Sequence, residues 1–368
     1  MNISSLTRPQ LLLNKEICVN NIERMAKKAE LSGAIFRPHF KTHQSVAVGA
    51  WYRDFGVRAI AVSSVKMAAY FADQGWDDIT IALPVNICEL DAINDLAQKI
   101  SLNLLLDDVQ VVQFLDANLL QSTGVFLKVD CGYQRTGIDI DNGLALDKIL
   151  NMIKRSAKLH FMGFLTHSGH TYHTSNTKEI LDIHHSVVRR MKRLKQRWSS
   201  LFPDAIISIG DTPSMSLAPD FDDIDEVRPG NFVFYDLMQR ELGVCTNNQI
   251  AVAVACPVIG LYPQRNSIVI HGGGVHFSKE SLRLKNGNKI YGSVVFLNKE
   301  GWSWPEEEIY LTGLSQEHGT ITAPQRMIKK VKHGDFLGVV PVHSCLTAAC
   351  FDNYLLTNNV EIEKMISQ

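Results

Sequence analysis

The sequence predicts an α/β protein in which a (β/α)8 barrel of the TIM type is followed by a smaller, mainly β domain. Between about residues 20 and 240, short apolar runs rich in β-branched residues alternate with helical patterns. That alternation is typical of βαβ units and a parallel sheet. Eight such runs suggest a closed barrel. After Gly243 the helical periodicity fades, and short apolar runs separated by Gly-rich turns replace it.

Each of the eight predicted strands is separated from the next by a stretch long enough for a helix. They lie at residues 34–41, 58–64, 78–83, 102–107, 124–130, 160–167, 205–212 and 227–236. Between them, apolar stripes follow the i, i+3, i+4, i+7 spacing of an amphipathic helix, one beginning at Ile22 and a longer one extending from Ile180 to Trp198. We therefore predict outer helices that cover the barrel.

The second domain is predicted from strands at residues 250–255, 267–271 and 291–296. The polar segment 246–249 is the best linker candidate, so the predicted barrel occupies residues 15–245 and the β domain residues 246–368. No internal repeat or low-complexity segment stands out.

Composition limits the partners that the chain can have. Lys and Arg total 37 against 38 Asp and Glu, so a net charge of -1 provides no basic surface for nucleic acid. No apolar run approaches the ~20 residues that span a bilayer, and residues 1–10 lack the apolar core of a secretion signal. The seven cysteines contain no CxxC motif and do not resemble a disulfide framework. We expect a cytoplasmic protein whose partners are small molecules.

The first predicted strand has a basic face. Alternation places Arg37, His39, Lys41 and possibly His43 on one side. Because a barrel interior is normally packed with branched apolar side chains, such groups require anions, hydrogen bonds or a ligand. A desolvated lysine beside other cations has a lowered pKa and can attack carbonyls to form imines. Lys41 is predicted to have this setting.

The heptapeptide at residues 37–43, RPHFKTH, resembles the lysine motif of the fold-type III pyridoxal-phosphate (PLP) enzymes, in the branch that contains D-serine dehydratase and D-threonine aldolase. The resemblance spans nearly the whole chain, and residues 7–14 are similar to the family's short N-terminal strand. It implies that Lys41 holds PLP as a Schiff base. It also implies an alanine-racemase-like barrel, a β domain that includes residues 1–14, and a homodimer.

Two strand ends are candidates for the cofactor phosphate, because barrels commonly bind phosphate in the loops after strands seven and eight. Strand seven ends in SIGDTP at residues 208–213, and strand eight contains RPGNF at residues 228–232. By their place in the family pattern, the phosphate candidates are Gly210, Asp211, Thr212, Gly230 and Asn231. Asp211 departs from that pattern, where glycine is usual, and its carboxylate is unfavourable beside a phosphate unless only its backbone N–H faces the anion.

The resemblance places further side chains around the cofactor ring. His39 accompanies Lys41, Arg135 follows strand five, and His167 and Tyr172 follow strand six, with Tyr172 near the ring nitrogen. The alternative for Arg135 is that it only caps a helix or pairs with Asp130. Two weaker candidates are Tyr235 and Asp236 at the end of strand eight.

A metal site is predicted near the C-terminus. His343 and Cys345 are two residues apart, so on an extended chain both side chains project from one face. Imidazole and thiolate suit zinc, although two ligands are fewer than a typical catalytic site has. By resemblance, D-serine dehydratases bind zinc through His-x-Cys, whereas D-threonine aldolases have His-x-Asp. Residues 317–319, EHG, also resemble a segment near the active site, and whether His318 binds metal stays open.

These observations together predict a PLP- and zinc-dependent dehydratase, an ammonia-lyase that converts a D-β-hydroxy amino acid to a 2-oxo acid and ammonia. D-serine is the first candidate substrate, and D-threonine or D-3-hydroxyaspartate would fit the same chemistry. Three alternatives remain. They are retro-aldol cleavage to glycine and an aldehyde, racemisation with Tyr262 or Tyr291 as a second base, and a non-catalytic PLP-binding protein.

Overall fold

The computed structural model describes residues 1–366. The chain divides into two compact units, one formed by residues 22–232 and the other by residues 1–21 together with the chain from Val233 onward. The unit boundaries therefore lie at 21/22 and 232/233, beside the predicted domain boundaries at 14/15 and 245/246. Strand β1 (Gln10–Leu13) precedes helix α1 (Lys15–Leu31).

The unit of residues 22–232 is a parallel barrel. Its strands are β2 (Ile35–Phe36), β3 (Ala59–Val62), β4 (Asp78–Pro84), β5 (Ser101–Leu106), β6 (Thr123–Asp130), β7 (Ile138–Asp139), β8 (Leu159–Thr166), β9 (Ile206–Ile209) and β10 (Glu226–Val227). Among the described residues the order β2-β10-β9-β8-β6-β5-β4-β3 runs around the barrel, and β7 pairs with β6. A parallel bridge between His39 and Ala61 closes the ring. The predicted eight-stranded barrel is confirmed.

Helices cover this barrel. They are α2 (Val46–Arg53), α3 (Val65–Ala72), α4 (Leu90–Ala97), α5 (Val109–Asn118), α6 (Gly143–Arg155), α7 (Thr177–Trp198) and α8 (Thr212–Leu217). The predicted stripe on α7 is buried from Ile180 to Leu194 apart from the half-buried Ile183, and Trp198 at its end is half-buried. His184 is buried on the same face, and burial lowers its pKa to about 4. No helix within residues 1–366 is both long and apolar enough to cross a membrane.

The first predicted strand is much shorter than expected. Only Ile35–Phe36 form β2, although beyond its end the N–H of Arg37 still donates to Val227 O at 3.0 Å. The N–H of His39 donates to Pro229 O (2.9 Å), and the N–H of Phe40 donates to Ala61 O (2.8 Å). The last predicted strand is likewise reduced to Glu226–Val227. Hydrogen bonding to the β10 segment thus continues in the extended register as far as His39, and the chain turns from Phe40 onward.

The anions that the predicted basic face requires are present at Arg37, whereas His43 packs among aromatic rings. Arg37 is buried in the barrel, where its Nε lies 2.6 Å from Glu226 Oε2 and its Nη1 lies 2.6 Å from Asp78 Oδ1. His43 is fully buried, and its ring centroid is 4.4 Å from that of Phe40. The Arg37 charge is neutralised by carboxylates, as a buried cation requires. His39 and Lys41 are the two members of the predicted basic face that contribute to the candidate active site.

The other unit is built on a mainly antiparallel sheet. Its later strands are β11 (Val252–Tyr262), β12 (Ser267–His271), β13 (Leu282–Arg283), β14 (Lys289–Ile290), β15 (Gly292–Asn298), β16 (Gly301–Ser303), β17 (Tyr310–Leu314), β18 (His318–Thr322), β19 (Phe336–Pro341), β20 (Asn353–Leu356) and β21 (Glu361–Glu363). Strand β1 lies between β11 and β20, antiparallel to the former and parallel to the latter. The predicted β domain is confirmed as a fold class.

Four short helices interrupt this unit. They are α9 (Leu237–Glu241), α10 (Gly274–Phe277), α11 (Gln325–Ile328) and α12 (Ser344–Ala348). The α10 and α12 helices pack together, and Thr347 Oγ1 donates to Phe277 O at 3.4 Å. Within residues 1–366, none of the seven cysteines forms a disulfide.

Candidate active site

Lys41 lies in a turn just beyond the bridge that closes the barrel. Its backbone N–H donates to His39 Nδ1 at 3.3 Å, which links the two residues. The side chain of Lys41 is exposed in this chain, so the predicted desolvated amine is wrong. The physical reason is the early end of β2, because Lys41 is no longer a strand residue facing a packed interior.

Imidazoles and cations nevertheless gather at this end of the barrel. Burial lowers the pKa of His39 well below its usual value, and Lys41, Arg228 and His167 lower it further. Burial does the same to the pKa of His167, with Lys128 and Lys41 adding to the effect. Both rings are therefore neutral near pH 7. The surrounding positive charge makes this a site for an anionic ligand.

Lys128 and Arg228 belong to this cluster and were missed by the sequence reasoning. Burial, and after it the charge of Arg228, lower the pKa of Lys128 to about 7. Arg228 donates through Nη2 to Thr166 O at 2.8 Å and through Nη1 to Ser208 Oγ. Burial lowers its pKa to about 10 against the opposing charge of Glu226. The available signal was a charged residue inside an otherwise apolar strand pattern.

The two predicted phosphate segments lie side by side. A Cβ on Gly210 would lie 2.9 Å from Arg228 O, and one on Gly230 would lie 3.0 Å from His39 O. Glycine at both positions therefore lets the backbones approach closely. The Thr212 hydroxyl is buried and has no hydrogen-bond partner among the described residues. Asn231, also buried, begins a short 3-10 helix next to Gly230.

Asp211 has its carboxylate turned into the protein. It is the N-cap of α8, where Oδ1 accepts hydrogen bonds from Ser214 N (2.7 Å) and Thr171 Oγ1 (3.1 Å). Burial raises its pKa to about 6, although these hydrogen bonds oppose the rise. The carboxylate is used as a helix cap, which removes the objection to an aspartate at this position.

His167 and Tyr172 contact the same strand end. The Nδ1 of His167 donates to Gly210 O, so its Nε2 is left as an acceptor. The Tyr172 hydroxyl accepts a hydrogen bond from Thr212 N at 3.3 Å. The structure thus places Tyr172 beside a phosphate candidate, whereas the resemblance placed it near the ring nitrogen.

Arg135 lies over an aromatic ring. Its guanidinium is 5.0 Å from the ring centroid of Tyr133, and that ring is 5.7 Å from the ring of His167. The Asp130 carboxylate does not pair with Arg135. It accepts hydrogen bonds from three backbone N–H groups of the turn that follows β6. Tyr133 is a further residue that the sequence reasoning missed.

In the other unit, His343 and Cys345 mark the start of α12. His343 is the extended N-cap residue and Cys345 lies in the first turn, so the predicted extended segment is wrong. The helix begins early because Ser344 donates to Asp236 Oδ2 through its N–H (3.0 Å) and its hydroxyl (3.2 Å). The His343 imidazole still forms a hydrogen bond with the Cys345 thiol.

The environment of His343 favours a positive charge. Its Nδ1 lies 3.5 Å from Asp236 Oδ2. Burial acts to lower the pKa of His343, but Cys345, Asp236 and Glu280 outweigh it and raise the pKa to about 9. The same negative groups would stabilise a metal cation.

The remaining candidates of this unit are Tyr235, Tyr262, Tyr291 and His318. Tyr235 is buried with a positive φ of 47°. The Tyr262 ring lies under the guanidinium of Arg265, 4.2 Å from its centroid, and the Tyr291 ring lies 5.1 Å from Lys289 Nζ. His318 is exposed at the start of β18.

Comparison with known proteins matches both units. The family model "Alanine racemase, N-terminal domain" covers residues 14–237, and "Putative serine dehydratase domain" covers residues 251–357. A parallel barrel that matches the alanine racemase N-terminal domain, followed by a β domain that matches the serine dehydratase domain, defines a fold-type III PLP enzyme. The chain belongs to this alanine-racemase-like family, in the group that carries a D-serine dehydratase domain. It is a PLP-dependent lyase.

Individual relatives resemble the chain over its full length. D-serine dehydratase of Dictyostelium discoideum is 28% identical and aligns over 97% of this chain and 95% of the relative. D-threo-3-hydroxyaspartate dehydratase of Delftia sp. strain HT23 is 28% identical over 95% of this chain and 94% of its own. The solved structure of the Delftia enzyme has a TM-score of 0.92 and 26% identity, covering 100% of this chain and 99% of that one. A cysteine-to-alanine variant of a D-threo-3-hydroxyaspartate dehydratase, in the metal-free form, has a TM-score of 0.90 and 26% identity.

The barrel residues fit PLP. A phosphate dianion suits the concentration of cations around Arg228 and Lys128, and the buried Thr212 hydroxyl offers it a hydrogen bond. The exposed Lys41 amine is free to reach an aldehyde. Glycine at positions 210 and 230 lets these two segments pack against the backbones of Arg228 and His39, which brings them close to this cluster.

Proposed function

We propose that this lyase is a PLP- and zinc-dependent dehydratase that converts a D-β-hydroxy amino acid, foremost D-serine, to a 2-oxo acid and ammonia. The observation that carries the proposal is the His343–Cys345 pair at the start of α12, with the Asp236 carboxylate behind the imidazole. Relatives named D-serine dehydratase and D-threo-3-hydroxyaspartate dehydratase support it. The metal-free form of a cysteine-to-alanine variant of a D-threo-3-hydroxyaspartate dehydratase supports a cysteine as metal ligand.

Lys41 is proposed to hold the cofactor covalently. Proposed phosphate contacts come from the ends of β9 and β10 and the segments after them, namely Gly210, the backbone of Asp211, Thr212, Gly230 and Asn231. The proposed ring neighbours are His39, Arg135, His167 and Tyr172. When bound, PLP supplies a sink for the electron pair left at Cα.

Lys41 is also the proposed base. With PLP bound, its Nζ would be the group that removes the Cα proton of the substrate. Because Lys41 is exposed and lies in a turn, its side chain is free to move between these two tasks. Because His39 and His167 are neutral, neither supplies a competing acidic proton near pH 7. Loss of the Cα proton and of hydroxide from Cβ gives an enamine, which hydrolyses to the 2-oxo acid and ammonia.

His343 and Cys345 are proposed to hold zinc. Zinc would supply a Lewis acid that makes hydroxide a better leaving group. The residues fit the ion, because imidazole and thiolate are ligands that zinc prefers. In addition, His343 Nδ1 is buried without a hydrogen-bond partner among the described residues, and Asp236 faces it from 3.5 Å. A carboxylate behind a ligating imidazole is the usual support of a zinc site.

The family resemblance also leads us to propose a homodimer in the cytoplasm. Light scattering of the purified PLP-loaded protein measures its mass directly. A mass of twice the 41.2 kDa chain is expected, and a mass of one chain would contradict the dimer.

The proposal is tested by product analysis of the PLP-loaded protein. D-serine, D-threonine and D-3-hydroxyaspartate are supplied separately, with and without a chelator, and 2-oxo acid, ammonia, aldehyde, glycine and the L-isomer are measured. We expect 2-oxo acid and ammonia, with a chelator-sensitive rate. Glycine with an aldehyde would identify an aldolase, the L-isomer would identify a racemase, and either result would overturn the dehydratase.

A further inference from the structure

Three potential metal ligands meet in the β unit at residues other than His343 and Cys345. They are His271 at the end of β12, His276 in α10, and Glu317 just before β18. Each offers one ligand atom, and these atoms all lie within 4.8 Å of one another. Neither the cofactor nor the zinc proposed above uses any of the three.

The spacing fits a shared ion better than it fits an ion pair. His271 Nε2 lies 3.5 Å from Glu317 Oε2. A charged N–H···O bond would be roughly 2.7–2.9 Å long. Two ligands at about 2.0–2.2 Å from one tetrahedral zinc ion are separated by roughly 3.3–3.6 Å. The observed distance lies in the second range.

The backbone around the cluster is held rigidly. His271 is paired with His318 in the register of β12 and β18. The N–H of Gly272 donates to Glu317 O (2.9 Å), and the N–H of Gly274 donates to Ser315 O (2.8 Å). A Cβ on Gly273 would lie 2.2 Å from Gln316 O, so this approach requires glycine. The Glu317 turn is thereby fixed against the start of α10.

His276 makes one interaction that metal binding must break. The N–H of Gly273 donates to His276 Nδ1 at 3.2 Å. If the metal binds at Nδ1, that lone pair is no longer available. If it binds at Nε2, Nδ1 carries the proton and cannot accept a hydrogen bond. Either mode releases the Gly273 N–H, whose amide exchange should therefore respond to metal.

We infer that the β unit has a second metal site, in which His271, His276 and Glu317 bind a divalent transition ion of the zinc class. Two imidazoles and one carboxylate favour zinc, cobalt or nickel over calcium or magnesium. Water fills the remaining position. The ion ties α10 to the turn before β18, and α10 in turn packs on α12, which carries Cys345. The inference is independent of the metal proposed at His343 and Cys345.

Metal counting tests the inference on the intact PLP-loaded protein. The protein is stripped with a chelator, reloaded with Zn²⁺ or Co²⁺, desalted and analysed by elemental mass spectrometry. The test variants are His276→Ala and Glu317→Gln, and His318→Ala is the matched control on the exposed neighbour. Cys345→Ala removes a ligand of the other site. Circular dichroism of each variant checks the fold, and the exposed Glu317 side chain makes its variant the safer of the two.

We expect two metal equivalents in the wild type and the control, and one in His276→Ala, Glu317→Gln and Cys345→Ala. Co²⁺ should show a thiolate charge-transfer band that Cys345→Ala loses and that both test variants retain. If the wild type binds one metal equivalent, and His276→Ala and Glu317→Gln each still bind one, the second site would be overturned while the proposed dehydratase would stand. If the wild type binds one equivalent, and only His276→Ala and Glu317→Gln lose it, the result would support the second site and contradict the zinc at His343 and Cys345.

Discussion

The Oδ2 atom of Asp236 faces His343 Nδ1 at 3.5 Å and also accepts hydrogen bonds from the N–H and the hydroxyl of Ser344. One fully buried carboxylate thus fixes the start of α12 and supports the imidazole that precedes it. The 108-residue separation between Asp236 and Ser344 shows why the local sequence gives no sign of this arrangement.

Asp236→Asn should weaken zinc binding by about 10- to 100-fold, because the amide cannot stabilise the proton on His343 Nδ1 as a carboxylate does. The variant retains an oxygen that can accept the cap hydrogen bond from Gln239 N. Competition with a chromogenic chelator measures the affinity. Ser344→Ala is the control, since it removes a single hydrogen bond from the same carboxylate. Unchanged affinity in Asp236→Asn would show that Asp236 has no role at the metal.

Cys345→Ala should abolish the chelator-sensitive activity and remove the metal bound at His343, while the visible absorbance of PLP is retained. The reason is that a single imidazole cannot hold zinc with useful affinity. Cys350→Ala, which changes an exposed cysteine in the same part of the chain, should behave as wild type. Full activity in Cys345→Ala would exclude the thiolate as a necessary ligand.

Lys41→Ala should lose the visible absorbance of the bound cofactor and its borohydride-reducible attachment to the protein. Peptide mapping after reduction identifies the modified lysine. Lys178→Ala, at an exposed position in α7, serves as the control. An adduct that persists in Lys41→Ala, for example on the buried Lys128, would refute the assignment.

Asp211 should make the apoprotein less stable as pH rises from about 4 to about 6. Burial raises its folded-state pKa from 3.8 to about 6, so in this window the folded protein binds more protons than the unfolded chain. The corresponding loss is about 3 kcal/mol, as an order of magnitude. Asp211→Asn can keep the cap on Ser214 N and should lack this slope. Denaturant unfolding of both proteins from pH 4 to 6.5 measures the difference, and parallel curves would contradict it.

The sequence predicted the architecture because hydrophobic periodicity depends on local spacing. The apolar stripe of α7 and the alternation of strands with helices can be recognised without tertiary information, and both predictions were correct. The setting of Lys41 was not, because the chain turns before this residue reaches the packed interior, and the carboxylates that pair with Arg37, such as Glu226, are distant in sequence. The gathering of Lys128 and Arg228 with His39 depends on barrel closure, which brings together residues that are far apart in sequence.

The metal-binding candidates also differ in whether local sequence spacing or tertiary structure brings them together. The spacing of His343 and Cys345 suggested a pair, and the structure retains the pair in a helical turn rather than an extended segment. His271, His276 and Glu317 have no recognisable sequence spacing, because the pairing of β12 with β18 creates their proximity. Sequence reasoning drew attention to His318, whereas its neighbour Glu317 is the residue that faces the two imidazoles.

The central claim is metal-assisted dehydration, and D-serine turnover tests it most directly. Pyruvate and ammonia are measured with the PLP-loaded protein before chelation, after chelation and after Zn²⁺ is restored, while the PLP absorbance is monitored throughout. The account predicts equal amounts of pyruvate and ammonia, loss of turnover on chelation with the absorbance retained, and recovery with Zn²⁺. Formation of glycine and formaldehyde, or turnover that chelation leaves unchanged, would contradict it.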